Sequence, residues 1–501
     1  MNDSTRKKLR LVWLFIFLGL SFFAGGRWAS VAAAVLVPIF AIRFCRDVDN
    51  GWLGLLGLWA ASSVAGIVSW RGATAFRFMG LFAEPAFIGV FSALALAPLF
   101  LDRLFYRRYS KLGANPYWLT FVFPIAAGGF DYLINSGSPF GTFGATAYEL
   151  AGFELISPVV AVGGIWLVPF VLGWFASNVN YIWESGFAWQ ESKWPTCALA
   201  TVGVLVLLAS WQRPNLPAGT VMVGGFSHPN GVMIAPLRLF HDGDIEGFQE
   251  LAKASAAAQF EQIRTMAHRG AKIVTLQEGA MMGFESDIAQ ILIDAALVAR
   301  EESIYIVLPS VTIFPGQPGH NMVRIIDPDG NVVLEHIKFG GAMFEGTLAG
   351  SGKIPTVDTP YGRIAAVICW DADFPEVIKQ VGKAKVDMLF VPANDWYEIR
   401  DIHVGMATFR STENGTPIFR QTGNGISVVT DSYGREISRI DSFTETSADR
   451  WAGKQLVEVK VGSTPTWYPH IGGILGRVQV FGFLVLVMMF IGTSFFARSK
   501  S

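Results

Sequence analysis

The sequence predicts a polytopic α-helical membrane domain of about eight spans joined to a layered α/β domain, and three observations carry that prediction. Hydrophobic residues fill 51% of the 501 positions and charged residues only 16%, which is more apolar than an ordinary soluble enzyme. Long, nearly uncharged runs occupy residues 11–24, 28–42, 52–70, 78–100, 117–134, 157–182 and 194–211, with one more at 474–497. Between the last two lies a stretch of ordinary globular composition, at about 218–461. The expected organisation is therefore an N-terminal membrane domain over 1–217, with about seven helices, a catalytic-type domain over 218–462, and a linker with a C-terminal transmembrane helix over 463–501.

In the first run, basic residues precede a short apolar core. No small-residue cleavage site followed by a soluble chain appears, so the segment is read as retained. With a cytoplasmic N-terminus the inner loops hold Arg6, Lys7, Lys8 and Arg10, then Arg43 and Arg46, then Arg103, Arg107, Arg108 and Lys111, and finally Arg498 and Lys500. The outer loops hold only Arg27, Arg71 and Arg77, and residues 135–156 contain no Lys or Arg. This count puts the α/β domain outside the cytoplasm. Glu84 and Asp131, in or near spans, are either interfacial carboxylates with local partners or marks of a polar transport pathway. A net charge of −1 without a basic stripe gives no indication of nucleic-acid binding.

Within the α/β domain, Phe248, Leu251, Phe260, Ile263 and Met266 recur at helical spacing, and the run 273–276 reads as a buried strand. A helix over 286–301 precedes a strand over 304–308. Residues 324–336, RIIDPDGNVVLEH, form a hairpin with Asp-Gly at the turn. Buried strands follow at 363–369 and 387–391, then a helix near 402–414 and hairpin strands at 418–421 and 425–430. No internal repeat or low-complexity tract interrupts the pattern.

Three polar residues share one topological position in this domain. Glu278 follows KIVTLQ, Lys338 follows LEHI, and Cys369 ends RIAAVIC; strand ends are where open α/β folds meet ligands. Cys369 is the sole cysteine of the domain, so no disulfide framework forms there. Asp373 is expected to cap a helix that has Pro375 in its first turn, turning the sulfur toward a positive helix end that favours thiolate. Glu278 would then be the general base, Lys338 the oxyanion stabiliser and Cys369 the nucleophile of an acyl-transfer site without histidine. The loop FGGAMFEGTLAG over 339–350 combines four glycines with Phe339, Met343, Phe344 and Leu348. It reads either as a packed turn or as a mobile lid that rests in the bilayer interface.

At these residues the chain resembles the nitrilase superfamily of carbon–nitrogen hydrolases, and within it the apolipoprotein N-acyltransferase family. The resemblance is carried by VICWDADFPE at the nucleophile, by PANDWYEIRDIHVGMATFRSTENGTPIFRQTGNGISVVTDSYG over 392–434, by TPTWYPHIGG over 464–473 and by ISPVVAVGGIWLVPFVLGWF over 156–175. It implies an αββα sandwich with a Glu–Lys–Cys triad, held outside the cytoplasm of an inner membrane. It also implies a ping-pong transfer of an acyl chain from a phospholipid donor, phosphatidylethanolamine in particular, through a Cys369 thioester to the N-terminal amine of a diacylglyceryl-cysteine lipoprotein. No metal or organic cofactor is implied, and His336, His403 and His470 read as scattered structural residues. The chain departs from the family pattern at Leu276-Gln277 before the base, and at Trp370 and Asp371, which stand where the family has Tyr-Glu. It departs again after the lysine, where Glu345 is the counterpart of a supporting glutamate. Phe339, Met343, Phe344, Asn394 and Trp396 are the expected substrate-loop positions. The alternative reading is a membrane-anchored amidase or nitrilase that acts on a small molecule with water as acceptor.

Overall fold

The computed structural model describes residues 3–110, 116–211, 219–228, 234–444 and 451–498. Lys111, Lys500 and the expected junction at 217/218 lie outside them. The chain divides into two compact units, the first comprising Met1–Ser138, Gly144–Arg213 and His470–Ser501, the second Pro139–Phe143 and Pro214–Pro469.

The first unit is helical. Among the described residues five helices are long and apolar enough to cross a membrane: Gly51–Ser69, Ala83–Tyr109, Tyr117–Ser136, Trp189–Ser210 and Tyr468–Gly492. A sixth span arises if Glu154–Trp166 and Val168–Glu184, bent by 114°, are taken as one broken segment. The expected count was higher because it included two further helices. Asp3–Ser21 opens with Asp3, Arg6, Lys7, Lys8 and Arg10, and Val31–Asp47 has only 17 residues, at the lower limit of what spans a bilayer. By its apolar helices the chain is a multi-pass membrane protein. Its buried Arg10 and Arg46 are ion-paired and its buried Arg103 donates to backbone carbonyls, as the cost of burying an unsatisfied ion demands. Arg46 grips Asp102 through Nε at 2.8 Å and Nη2 at 2.7 Å, and its Nη1 lies 3.4 Å from Glu184. Glu84 accepts from Gly72 N, Thr74 N and Thr74 Oγ1, while Asp131 accepts from Thr146 N and Oγ1. Both carboxylates thus have local partners, as interfacial carboxylates do.

The second unit is a sandwich of two mixed sheets between helices. Its strands are β1 (Thr220–Ser227), β2 (Ile273–Leu276), β3 (Met281–Gly283), β4 (Tyr305–Thr312), β5 (His320–Ile326), β6 (Val332–Ile337), β7 (Val357–Thr359), β8 (Gly362–Ala366), β9 (Met388–Phe390), β10 (Ala393–Asn394), β11 (Ile418–Arg420), β12 (Thr422–Gly423), β13 (Ile426–Thr430), β14 (Glu436–Asp441) and β15 (Ala452–Lys460). Among the described residues one sheet has seven strands in the order β15-β1-β2-β4-β5-β6, with β3 beside β4. The other has six in the order β14-β13-β11-β9-β8-β7. Each is parallel at its centre (β1, β2, β4; β8, β9, β11) and antiparallel toward its edges. The period of two along the strands explains the layers. Ile364, Ala366 and Ile368 turn inward with Met388 and Phe390 to meet Val223, Ile273, Val307 and Ile325 of the opposite sheet. Ala365, Val367, Leu389 and Val391 turn outward onto Ile378 and Val381 of the helix Pro375–Lys383. On the far side, Phe260, Ile263 and Met266 of the helix Ile245–His268 and Ile288, Ile291 and Val298 of the helix Glu285–Glu302 cover Val274, Leu276, Ile306 and Leu308.

The parallel centres bring strand ends together. Glu278 lies just beyond β2, Lys338 follows β6 directly, and Cys369 follows the extension of β8. Glu278 N donates to Ala393 O at 3.3 Å and Cys369 N to Pro392 O at 2.8 Å, so the start of β10 ties two of these ends to one segment.

Candidate active site

Lys338 is fully buried and sits between two carboxylates, with Nζ 2.6 Å from Glu278 Oε1 and 2.5 Å from Glu345 Oε1. Asn321 Nδ2 donates to the same Glu278 oxygen at 2.8 Å, which fixes the carboxylate's orientation. Burial alone would push the ammonium down, but Glu278, Cys369 and Glu345 outweigh it and hold Lys338 above its ordinary value. Glu345 shifts upward: burial and the Glu278 charge outweigh Lys338.

Cys369 is 8% exposed, and its backbone adopts φ +43° at the strand end. A side-chain-bearing residue seldom occupies that region, and such strain is concentrated at functional turns. Sγ lies 3.8 Å from the Asn394 carbonyl, toward which the thiol donates. The expected helix-end activation is not what the structure provides. Residues Cys369–Asp373 form a 3-10 turn, and the following helix Pro375–Lys383 has Phe374 at its N-cap with no side-chain hydrogen bond. Asp373 faces His403 instead. Burial first, then the Glu278 and Asp395 charges, raise the thiol well above its ordinary value, with Lys338 and Arg420 opposing. The resting sulfur is therefore a protonated thiol that needs a base, which the neighbouring Glu278 carboxylate can supply.

Residues 244–450 match the carbon–nitrogen hydrolase family. The chain carries a carbon–nitrogen hydrolase domain. Curated relatives include the apolipoprotein N-acyltransferase of Borreliella burgdorferi, 26% identical over 209 residues that cover 40% of this chain and 38% of the relative. That of Geobacter metallireducens is 26% identical over 148 residues, covering 29% of this chain and 27% of the relative. The matched segments thus span well under half of these relatives' length. Among solved structures, an amidase from Nesterenkonia sp. is 15% identical, covering 52% of this chain and 97% of its own at a TM-score of 0.37. A carbon–nitrogen hydrolase from Helicobacter pylori is 12% identical, covering 53% and 94% at a TM-score of 0.39.

Around the charged centre of the carbon–nitrogen hydrolase domain, Asp371 accepts four hydrogen bonds. Oδ1 takes Phe339 N at 2.7 Å and Gly340 N at 2.6 Å; Oδ2 takes Ile368 N and His336 Nε2, each at 2.8 Å. One buried carboxylate so clamps the turn after Lys338 to the strand end before Cys369. Trp370 donates from Nε1 to Phe140 O at 3.1 Å, and its ring stacks with Phe344 at 5.7 Å and Phe140 at 6.1 Å. Phe140 stacks on Phe344 at 4.8 Å, and Thr142 donates from N and Oγ1 to Asp373 O.

The remaining expected substrate-loop residues separate. Phe344 is 40% exposed at the tip, whereas Phe339 turns back to pack its ring edge-on against Phe374 at 5.2 Å. The Met343 side chain lies outside the described part of the molecule. Asn394 stands beside the sulfur, and Trp396 is half-buried just after it. The root of the loop is packed rather than free: a Cβ on Gly341, at φ +74°, would come within 2.1 Å of the Trp370 ring.

Sequence reasoning set His336 and His403 aside as scattered, yet both stand at the site. His403 Nδ1 lies 2.8 Å from Asp395 Oδ1, and Arg420 Nη2 donates to both Asp395 oxygens at 2.9 and 3.1 Å. A usable signal was present. The helix Arg400–Asn414 and the strands around it carry Asp395, His403, Arg410, Glu413 and Arg420 in a stretch otherwise patterned for burial, and buried charges occur in pairs. Cys369, Asp395 and His403 each offer one metal-ligating atom within 4.8 Å of the others. Those of Asp395 already serve Arg420 and His403, so the trio reads as an ion-pair network.

Proposed function

We propose that the protein is a phospholipid:lipoprotein N-acyltransferase, with the carbon–nitrogen hydrolase domain facing the periplasm from the inner membrane. The observation that carries this reading is the placement of Lys338 between Glu278 and Glu345 beside a strained Cys369, in a chain with several membrane-crossing helices. The names of the curated relatives support the lipid chemistry.

In the first half-reaction Glu278 takes the thiol proton and Cys369 Sγ attacks the ester carbonyl carbon of the phospholipid. Cys369 N is already committed to Pro392 O, so Lys338 Nζ and the Trp370 N–H are the donors for the developing oxyanion. The ester C–O bond breaks, Glu278 returns the proton to the departing lysophospholipid oxygen, and an S-acyl thioester remains. In the second half the lipoprotein amine attacks the thioester, Glu278 accepts its proton and passes it to the departing sulfur, and the C–S bond breaks to give the amide and the free thiol. Both substrates are lipid-anchored, and extracting an acyl chain costs about 0.8 kcal/mol per CH₂, which is the physical reason for membrane residence.

Intact-mass measurement of the purified protein after exposure to phosphatidylethanolamine vesicles tests the reading. The expected result is a stable acyl adduct, mapped to Cys369, that a diacylglyceryl peptide discharges. Absence of the adduct together with hydrolysis of small amides would establish the amidase alternative.

A further inference from the structure

Beside the catalytic sulfur lies a second row of charges that the acyl-transfer steps leave unused. A ring nitrogen of His403, a carboxylate oxygen of Asp395 and Cys369 Sγ lie within 4.8 Å of one another. Nδ1 of His403 is hydrogen-bonded to Asp395 Oδ1 at 2.8 Å and Nε2 lies 3.5 Å from Asp373 Oδ2, so both ring nitrogens face carboxylates. Asp373, Asp395, His403 and Arg420 are all buried. Asp395 follows Asn394, whose carbonyl receives the thiol, and its anionic carboxylate so close to the sulfur opposes formation of a thiolate. Two cations offset it: the permanent guanidinium of Arg420 and the ring of His403.

We propose that His403 is a positioning residue for the nucleophile, a buried imidazolium that neutralises Asp395 and thereby lowers the cost of ionising Cys369. Burial by itself would discharge the ring, but Asp395 and Asp373 overcome that and hold it at about 9. The other groups that act on Cys369 are Glu278 beyond β2, Lys338 after β6 and Arg420 on β11. Those acting on the row from outside are Arg410 of the His403 helix, which acts on Asp373, and the Phe143 ring, edge-on to His403 at 5.6 Å.

The inference rests on Cys369 being the nucleophile but not on the identity of the acyl donor. The test is the rate of iodoacetamide alkylation at Cys369 as a function of pH, on the full chain in detergent. Peptide mapping separates Cys369 from the exposed Cys197. His403→Gln is expected to displace the profile to higher pH and to slow alkylation at neutral pH about tenfold, the effect of one unit in thiol pKa. An unmoved profile in a variant that still folds overturns the proposal. If His403→Gln fails to fold, Asp395→Asn serves. It deletes the opposing charge and should displace the profile to lower pH, and an unmoved or raised profile again overturns the proposal. Acyl transfer from phosphatidylethanolamine is followed on the same samples. A displaced profile without lipid transfer in the wild type defeats the acyltransferase reading alone, whereas lipid transfer with an unmoved profile in His403→Gln defeats only this one.

Discussion

A thiol that is buried and raised well above its ordinary value reacts slowly at neutral pH unless a base takes its proton, and the proposed base, Glu278, carries a charge that itself opposes ionisation. Glu278→Gln should therefore separate two quantities that usually move together. Turnover is expected to vanish, because an amide accepts no proton, while the pH midpoint of Cys369 alkylation should fall, because a neighbouring negative charge is gone. Steady-state assays and alkylation on one preparation check both. Lys338→Ala is expected to abolish activity and also to destabilise the domain by about 3 kcal/mol, since it leaves Glu278 and Glu345 facing each other without their shared cation. Denaturant unfolding measures the loss. His403 adds a pH dependence whose sign is fixed: its folded value, about 9, lies above the ordinary 6.5, so its contribution is complete below pH 6.5 and disappears as pH rises through 9. Thermal melting across that window in wild type and His403→Gln should converge at the alkaline end. Glu278, Lys338 and Cys369 were legible because each ends an apolar strand. Asp395, His403 and Arg420 were not, because their pairing depends on how separate strands and a helix converge.

The loop after Lys338 joins a packed root to an exposed tip. At the root, Gly341 has φ +74° and touches Trp370, so Gly341→Ala should disturb both backbone and ring and lower activity with only local loss of structure. Hydrogen exchange over residues 339–350 against the rest of the domain would reveal it. At the tip, Phe344 leans on Phe140 and Trp370. Phe344→Ser, with Met343→Ser, is expected to slow acylation by phospholipid while leaving iodoacetamide access to Cys369 largely intact. Equal loss of both rates with a lowered melting temperature would mark the tip as packing. The same contrast between local and distant determinants explains which strands could be read. The β5–β6 hairpin was evident from Asp329-Gly330, whose glycine takes φ +79° in the turn. β1 and β15 were missed. They pair with each other from opposite ends of the domain, and β1 carries Gly224 and Gly225, poor strand formers. Packing requires them: a Cβ on Gly225 would approach Gln421 Oε1 within 2.2 Å.

For the whole molecule, a reporter active only in the periplasm, inserted at Gly316, should give signal, and one fused after Ser501 should not. The reverse pattern would place Cys369 in a reducing compartment and remove the lipoprotein reading. Gly316 suits the insertion because its turn has open space around it and φ +72°. The composite second unit has a further consequence, in time rather than in space. Residues Pro139–Phe143 belong to that unit, yet the Thr142 bond to Asp373 closes across 231 positions of chain. At about 5–20 residues per second of synthesis, Thr142 leaves the ribosome roughly 10–50 s before its partner exists. Throughout that interval Phe140 has neither Trp370 nor Phe344 to cover it. The nascent chain must carry this segment, unsatisfied, past the making of the helices Glu154–Trp166, Val168–Glu184 and Trp189–Ser210 and most of a sandwich before the turn that bears Cys369 can be completed.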